Sequence, residues 1–481
     1  MDAYAANVHP CFIAGRPEQG VGELVVHHPF DGTEVARCAV PGPEQIERAV
    51  ASAAAVSTTL RTLPAHRRAA ALDHVSAGIR ERAEELAEII TAENGKPLRW
   101  AEAEVDRAVS TFRFAAEEAR RFSGELQRLD TDPAATGRLA MIRRVSRGPV
   151  LGISPFNFPL NLVAHKVAPA LAVGAPIIIK PAPRTPLACL LLGELLAETD
   201  LPAGAFSVLP VGNEETQALV KDARLPVVSF TGSGPVGWSI LDTVPRKHVV
   251  LELGGNAAAV ICADYPDLEH AAARIATFGN YQAGQSCIAV QRVIVDRAVA
   301  DRFVPLLVES VRDLITGDPH DPLVEVGPVV DEAAAARIEE WITEAVDGGA
   351  TLLTGGKRIG TSIEPTVLSD VDPSAKVWRE EVFGPVLVVS VVDGVDAALD
   401  AVNDSPYGLQ AGVFTRDLQT AFTASSRLDV GGVIIGDVPS YRADQMPYGG
   451  VKGSGVGREG LRSAMADLTE ERVTVFTGIE L

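Results

Sequence analysis

Residues 226–237 read PVVSFTGSGPVG. The first half is β-branched and aromatic. The second half sets glycines at 232, 234 and 237, the spacing GxGxxG. A strand that runs through a glycine-rich turn into a helix is the opening of a parallel βαβ unit. The first N–H groups of such a helix have no internal partner, so they can hold a pyrophosphate. Glu252 lies 252 − 232 = 20 residues further on, where the dinucleotide fingerprint puts its ribose-binding acid. An ordinary glycine turn between strand and helix has the same look, so the literal fingerprint and the simpler anion cradle both stay open.

The pattern spreads outward from this stretch. PVLGISP, APIIIKP and FSVLPV precede it, and HVVLELGG and AAAVICA follow, with amphipathic segments between them. Several of these runs are apolar on both faces, as strands are in a parallel sheet covered by helices. A second alternating block holds QRVIVD, ATLLTGG, VLVVSVV, LQAGVFT and GVIIGD. Two α/β domains are predicted, with a boundary near 251–256. Upstream of Pro149, residues 24–28 and 33–40 flank a PFDG turn and predict a hairpin. Residues 66–93 and 101–122 carry apolar positions at helical spacing. No internal repeat or low-complexity tract interrupts the chain.

With 481 residues and 47% hydrophobic content the chain can bury a large core. Net charge is 43 − 63 = −20, which argues against nucleic acid or an anionic membrane as partner. No apolar run approaches the roughly 18 residues of a membrane helix. The start, MDAYAANVHP, lacks a basic head and an apolar signal core, so a cytoplasmic protein is expected. Cys11, Cys38, Cys189, Cys262 and Cys287 are odd in number and scattered, which speaks against a disulfide framework or a zinc site; no metal is expected. The first four fit the role of small buried hydrophobes.

Four positions suggest chemistry. Cys287 stands in GQSCIAVQR behind a glycine and two polar residues. A neutral-pH thiol is mostly protonated, so a nucleophilic role needs a local aid to ionisation. Glu252, in VLELGGN, ends an apolar strand; burial would raise its pKa and suit it to general base work, whereas a solvated strand-end acid would stay inert. Asn157, in ISPFNFPLN, sits on a proline-stiffened segment able to aim an amide at an oxyanion, or simply to make a turn. Lys180 ends APIIIKP at a strand terminus, where α/β proteins place ligand contacts.

Taken in order, PFNFP, KPAPRTP, FTGSGPVG, ELGGN, GQSC, EEVFGP and MPYGGVKGSG resemble the aldehyde dehydrogenase superfamily along nearly the whole chain. The resemblance implies an α/β fold with a Rossmann-like cofactor domain (1–122 and 147–251), an α/β catalytic domain (252–445) and a small β oligomerisation arm (123–146 and 446–481). It implies a homodimer or homotetramer built through that arm. Cys287 would attack the aldehyde carbon, Asn157 would hold the oxyanion, and Glu252 would activate water to release the acid from a thioester. Ser154, Pro155, Phe156, Lys180, Gly212, Gly232, Ser233, Val236, Leu253, Glu381 and Phe383 fall where the family binds its nicotinamide dinucleotide. Three residues after the lysine, many NAD-specific members carry a glutamate; here Pro183 is followed by Arg184. The missing carboxylate and the added arginine favour NADP, or use of both cofactors.

YRADQMPYGGVKGSGVGREG resembles enzymes for short hydroxy-aldehydes such as lactaldehyde or glycolaldehyde. Anionic aldehydes (succinate semialdehyde, phosphonoacetaldehyde, glyceraldehyde 3-phosphate) are the alternative. Arg113 and Arg462 fall near arginines of anion-specific relatives, while Ser286 replaces an arginine that some of those relatives carry before the nucleophile. Phe158, Ile288, Arg442 and Tyr448 complete the expected substrate lining. Glu252 argues against a CoA-acylating relative, and a cysteine esterase is the alternative class.

Overall fold

The strand of the opening stretch is Val227–Thr231, and it lies inside an eight-stranded sheet. This and all that follows come from a computed structural model that describes residues 8–479; residues 1–7 of the N-terminal stretch and residues 480–481 lie outside it. The sheet order is Gly455–Val456, His248–Glu252, Val227–Thr231, Val150–Ile153, Ile177–Lys180, Phe206–Val208, Cys11–Ile13, Arg16–Glu18. The five strands from His248–Glu252 to Phe206–Val208 run parallel. Their alternate side chains enter two different cores. Val150, Ile177, Ile179 and Val208 face one, and Leu151, Ile153, Ile178 and Val228 face the other. That division explains why these runs carry no polar face.

A seven-stranded sheet follows, in the order Thr351–Thr354, Thr366–Ser369, Val386–Val392, Arg292–Asp296, Ala258–Ile261, Gln410–Phe414, Gly432–Ile435. Only its edge strand Thr351–Thr354 is antiparallel. The predicted hairpin is Gly22–His27 paired with Glu34–Val40. The helix expected over 66–93 is two helices, Ala65–Glu81 and Ala83–Asn94, separated at Arg82. Apolar spacing is blind to one residue that leaves helical phase.

A third sheet joins Thr469–Thr477, Arg138–Ser146 and Glu125–Arg128, all antiparallel. Residues 446–468, grouped with the arm above, do not travel with it. Gly455–Val456 pairs with His248–Glu252, and Leu461 and Met465 bury themselves in the first core. Their apolar side chains gain more there than on an exposed arm.

Candidate active site

Four adjacent parallel strands end at Ile153, Lys180, Thr231 and Glu252, and all four residues open into one cleft of about 630 Å³. A crevice beyond the carboxyl ends of parallel strands is where α/β sheets bind ligands. Cys287, Asn157 and Glu252 line it together with Ser154, Pro155, Phe156, Lys180, Pro183, Gly232, Ser233, Val236, Leu253, Glu381 and Phe383. Gly212 and Arg184 are not in the lining. Gly212 caps the helix Asn213–Lys221, which presents Asn213 and Thr216 instead. Arg184 turns away to pair with Asp331 at 2.6 Å, since an exposed guanidinium finds a carboxylate there.

The cleft fits a dinucleotide on its own chemistry. Helix Gly234–Thr243 starts in it, and a Cβ on Gly234 would meet nothing within 4 Å, so backbone amides are open to an anion. A Cβ on Gly237 would strike Leu253 Cδ2 at 2.4 Å, so glycine there sets helix against strand. The Lys180 amine has no carboxylate partner among the described residues, and burial lowers its pKa to about 8. Glu381 accepts the Gly255 N–H at 2.9 Å; burial lifts its carboxyl to about 7.

The turn before the nucleophile is strained. Gln282 and Ala283 have φ of 42° and 56°, and Gly284 has 69°. A Cβ on Gly284 would lie 2.1 Å from the Gly384 carbonyl oxygen, so the glycine of GQSC answers to the FGP corner. Cys287 Sγ lies 2.9 Å from the Tyr448 hydroxyl. Burial pushes the thiol up to about 12, and the Tyr448 bond opposes that rise. Asn157 Nδ2 donates to the Gln285 carbonyl at 2.9 Å. One amide hydrogen is thereby fixed and the second is left for a ligand. The Phe156 carbonyl accepts from Asn94 at 2.8 Å. Glu104, ion-paired with Lys96 out of reach of solvent, accepts the N–H groups of Leu160 and Asn161.

Glu252 is buried, and neither carboxylate oxygen has a hydrogen-bond partner. Burial and then the neighbouring charge of Glu459 raise its pKa well above the usual range. Glu459 goes the other way. Burial would raise it, but Lys166 and Arg442 hold it down to about 2. Their contacts are 3.4 Å and 3.0 Å. Arg442 also lies over the Tyr448 ring, 3.8 Å from its centroid. The buried cluster therefore drives its two acids apart, Glu459 held down by its cations and Glu252, on the cleft with the thiol, pushed up by burial and by Glu459.

A second cavity has a volume of about 270 Å³ and meets the nucleophile only through intermediaries: its Arg442 lies over the ring of Tyr448, whose hydroxyl is the partner of Cys287. Phe158 and Arg442 line this cavity, joined by Trp100, Arg107, Arg274, Tyr281 and Tyr441. Arg113 and Arg462 do not. Arg113 pairs with Glu117 on its own helix at 2.6 Å, and Arg462 reaches Glu118 at 3.3 Å, each on a solvated surface. Ser286 accepts from the Tyr281 hydroxyl at 2.6 Å, and Ile288 packs on Leu409 and Tyr448 behind the site. Arg107, Arg274, Arg337, Asn213 and Thr216 escaped sequence reading. Arg107 shares a helix with Arg113, but helical periodicity alone does not say which arginine faces a cavity.

The sequence profile described as the aldehyde dehydrogenase family matches residues 16–474. The 3-sulfolactaldehyde dehydrogenase of Priestia aryabhattai is 40% identical over 466 residues, covering 97% of both chains. Aldehyde dehydrogenase 21 from Physcomitrella patens, solved with the reaction product succinate, superposes with a TM-score of 0.97 at 42% identity, over 98% of this chain and 99% of that one. The NADP-dependent glyceraldehyde-3-phosphate dehydrogenase from Bacillus halodurans C-125, solved with NADP, gives 0.94 at 34% identity, over 98% of this chain and 100% of that one. Among the described residues no helix is long and apolar enough to cross a membrane. The chain belongs to the aldehyde dehydrogenase family and is an NAD(P)-dependent oxidoreductase of small-molecule aldehydes.

Proposed function

We propose that the protein oxidises a short anionic aldehyde to its carboxylic acid through a thioester on Cys287. The observation that carries the anionic reading is the second cavity, linked to the nucleophile through Arg442 and Tyr448. Three arginines (107, 274 and 442) line it against one acid, Glu104, which Lys96 already neutralises. Sulfolactaldehyde, succinate and glyceraldehyde 3-phosphate, named for the three relatives, are all anionic. A neutral hydroxy-aldehyde is the second reading, because each arginine already has a carboxylate behind it: Arg107 with Asp444 at 2.9 Å, Arg274 with Asp437 at 2.7 Å, Arg442 with Glu459 at 3.0 Å.

The cofactor, when bound, supplies the acceptor for the hydride that leaves the aldehyde carbon, together with a positive charge beside the thiol. Lys180, Ser233 and the start of helix Gly234–Thr243 would hold its adenosine and phosphates, and Glu381 and Phe383 its nicotinamide end. The open side of Lys180 and the lack of an acid at Pro183 favour NADP; Arg184, paired with Asp331, contributes little to that preference. Cys287 ionises with the Tyr448 hydroxyl donating to its sulfur and attacks the carbonyl carbon. The free Asn157 N–H and the Cys287 backbone N–H, which has no partner among the described residues, hold the resulting oxyanion. Glu252, once ionised, takes a proton from water, and the hydroxide releases the acid. Exposed Leu126, Val473, Val475 and Phe476 on the three-stranded sheet suit burial against a second copy, as a homodimer or homotetramer requires.

Two measurements test this. Specificity constants for succinate semialdehyde, glyceraldehyde 3-phosphate, lactaldehyde and glycolaldehyde, each with NAD and NADP, should favour the anions. Arg107→Met should lower the constant for an anion by about 10–100-fold, the worth of a lost charge-assisted hydrogen bond, and leave the neutral aldehydes nearly unchanged. Equal losses on both classes would return the substrate to the neutral reading. In Tyr448→Phe, alkylation of Cys287 by iodoacetamide should slow by about 10–100-fold at neutral pH and its pH profile should move upward. An unmoved profile removes Tyr448 from the ionisation step.

A further inference from the structure

Away from the cleft, His28, Asp318 and His320 bring one donor atom each to a common point, all within 4.8 Å of one another. They come from two distant parts of the chain. His28 follows the hairpin strand Gly22–His27, while Asp318 and His320 lie on the connection after helix Arg297–Arg312. A fourth donor is near: Glu88, on helix Ala83–Asn94, has its Oε2 3.9 Å from His320 Nε2.

The two imidazoles are prepared for a ligand. His28 is buried, and its Nδ1 lies 2.8 Å from the Ala92 carbonyl oxygen. A carbonyl only accepts, so Nδ1 carries the proton and Nε2 keeps its lone pair. Pinning the far N–H to a carbonyl is how proteins orient a metal-bound histidine. The His320 ring stands 5.3 Å from that of His28, tilted by 58°. Its Nε2 is out of contact with solvent and has no hydrogen-bond partner. A buried ring nitrogen left unpaired costs free energy that a bound cation would recover.

We propose that His28, His320 and Asp318, with Glu88 in reach as a fourth ligand, bind a borderline divalent metal ion such as Zn²⁺ or Co²⁺. Two imidazole nitrogens with carboxylate oxygens suit these ions; all-oxygen sites suit Ca²⁺ and Mg²⁺. The ion would fasten three segments: the hairpin, the helix that ends at Asn94, and the 313–331 connection. Asn94 holds the Phe156 carbonyl beside Asn157, and the Pro319 carbonyl accepts the Leu98 N–H at 3.0 Å. The role is structural, a clamp behind the oxyanion segment.

The test uses the full chain carrying Cys287→Ser, so that the nucleophilic thiol takes no metal, after dialysis against EDTA. Titration with CoCl₂ should give one saturable equivalent with a visible ligand-field spectrum. ZnCl₂ should displace it and raise Tm, and EDTA should reverse the rise. His320→Ala, and separately the exposed Asp318→Asn, should weaken cobalt binding by about 10-fold or more. With Cys287 intact, both variants should oxidise aldehyde in EDTA as the parent does, which shows that they fold. The proposal is overturned if parent and variants bind cobalt alike, or if the parent binds none.

Discussion

Cys287→Ala is expected to abolish aldehyde-dependent reduction of NAD(P) by about 10⁴-fold or more, the scale of losing a covalent nucleophile. Cofactor binding should persist, because Lys180, Gly232, Ser233 and Glu381 keep their places in the cleft. The substitution removes one sulfur and leaves the Tyr448 hydroxyl without its 2.9 Å partner. That costs about 1–3 kcal/mol for a buried polar group, which a domain of this size tolerates. The other thiols cannot substitute. Cys11, Cys38, Cys189 and Cys262 are buried, and desolvation raises every one of them, to about 11 for Cys11 and about 12 for Cys38 and Cys262. None lines the cleft. Cofactor titration by fluorescence and initial rates with a reactive short aldehyde make the check. Retained turnover would move the nucleophile elsewhere and end the thioester mechanism.

What could be read in advance follows a physical division. Strands of the two large sheets are buried on both faces, so their apolar runs stand out, and 177–180 and 386–392 lie where the runs IIIK and VLVVSVV predict. Glycines forced by backbone approach, such as Gly284 under the Gly384 carbonyl, also leave a visible trace. Charged residues on helices leave none. Arg107 and Arg113 are six positions apart on one helix; which faces the cavity depends on how Leu98–Arg121 docks, and that is a tertiary fact. Lys166 and Glu459 are 293 residues apart and meet at 3.4 Å under Glu252. No local pattern announces a buried charge whose partner comes from the far end of the chain.

Glu252→Gln is expected to yield a burst of one reduced cofactor per site, followed by turnover slower by about 10²–10⁴-fold, the usual worth of a general base. Glutamine keeps the shape of the side chain and cannot accept a proton, so acylation proceeds and the thioester waits. The pH dependence distinguishes this from simple damage. A base with a raised pKa is protonated, and inactive, below that pKa and gains activity as pH climbs through it. The slow phase of the parent should therefore accelerate with rising pH, and the variant should lose that dependence. Glu381 is the necessary control. It lines the same cleft, its carboxyl also sits high, at about 7, and it would serve as base if Glu252 does not. Glu381→Gln should weaken cofactor binding without a burst. A burst from Glu381→Gln with steady turnover from Glu252→Gln would exchange their roles. The cause of the difference expected here is the neighbourhood. Glu381 spends an oxygen on the Gly255 N–H, whereas both oxygens of Glu252 are unclaimed and the acid whose charge acts on it, Glu459, is held down to about 2 by Lys166 and Arg442. A carboxyl with two free oxygens beside a fixed negative charge binds a proton strongly, which is the property a base for water needs.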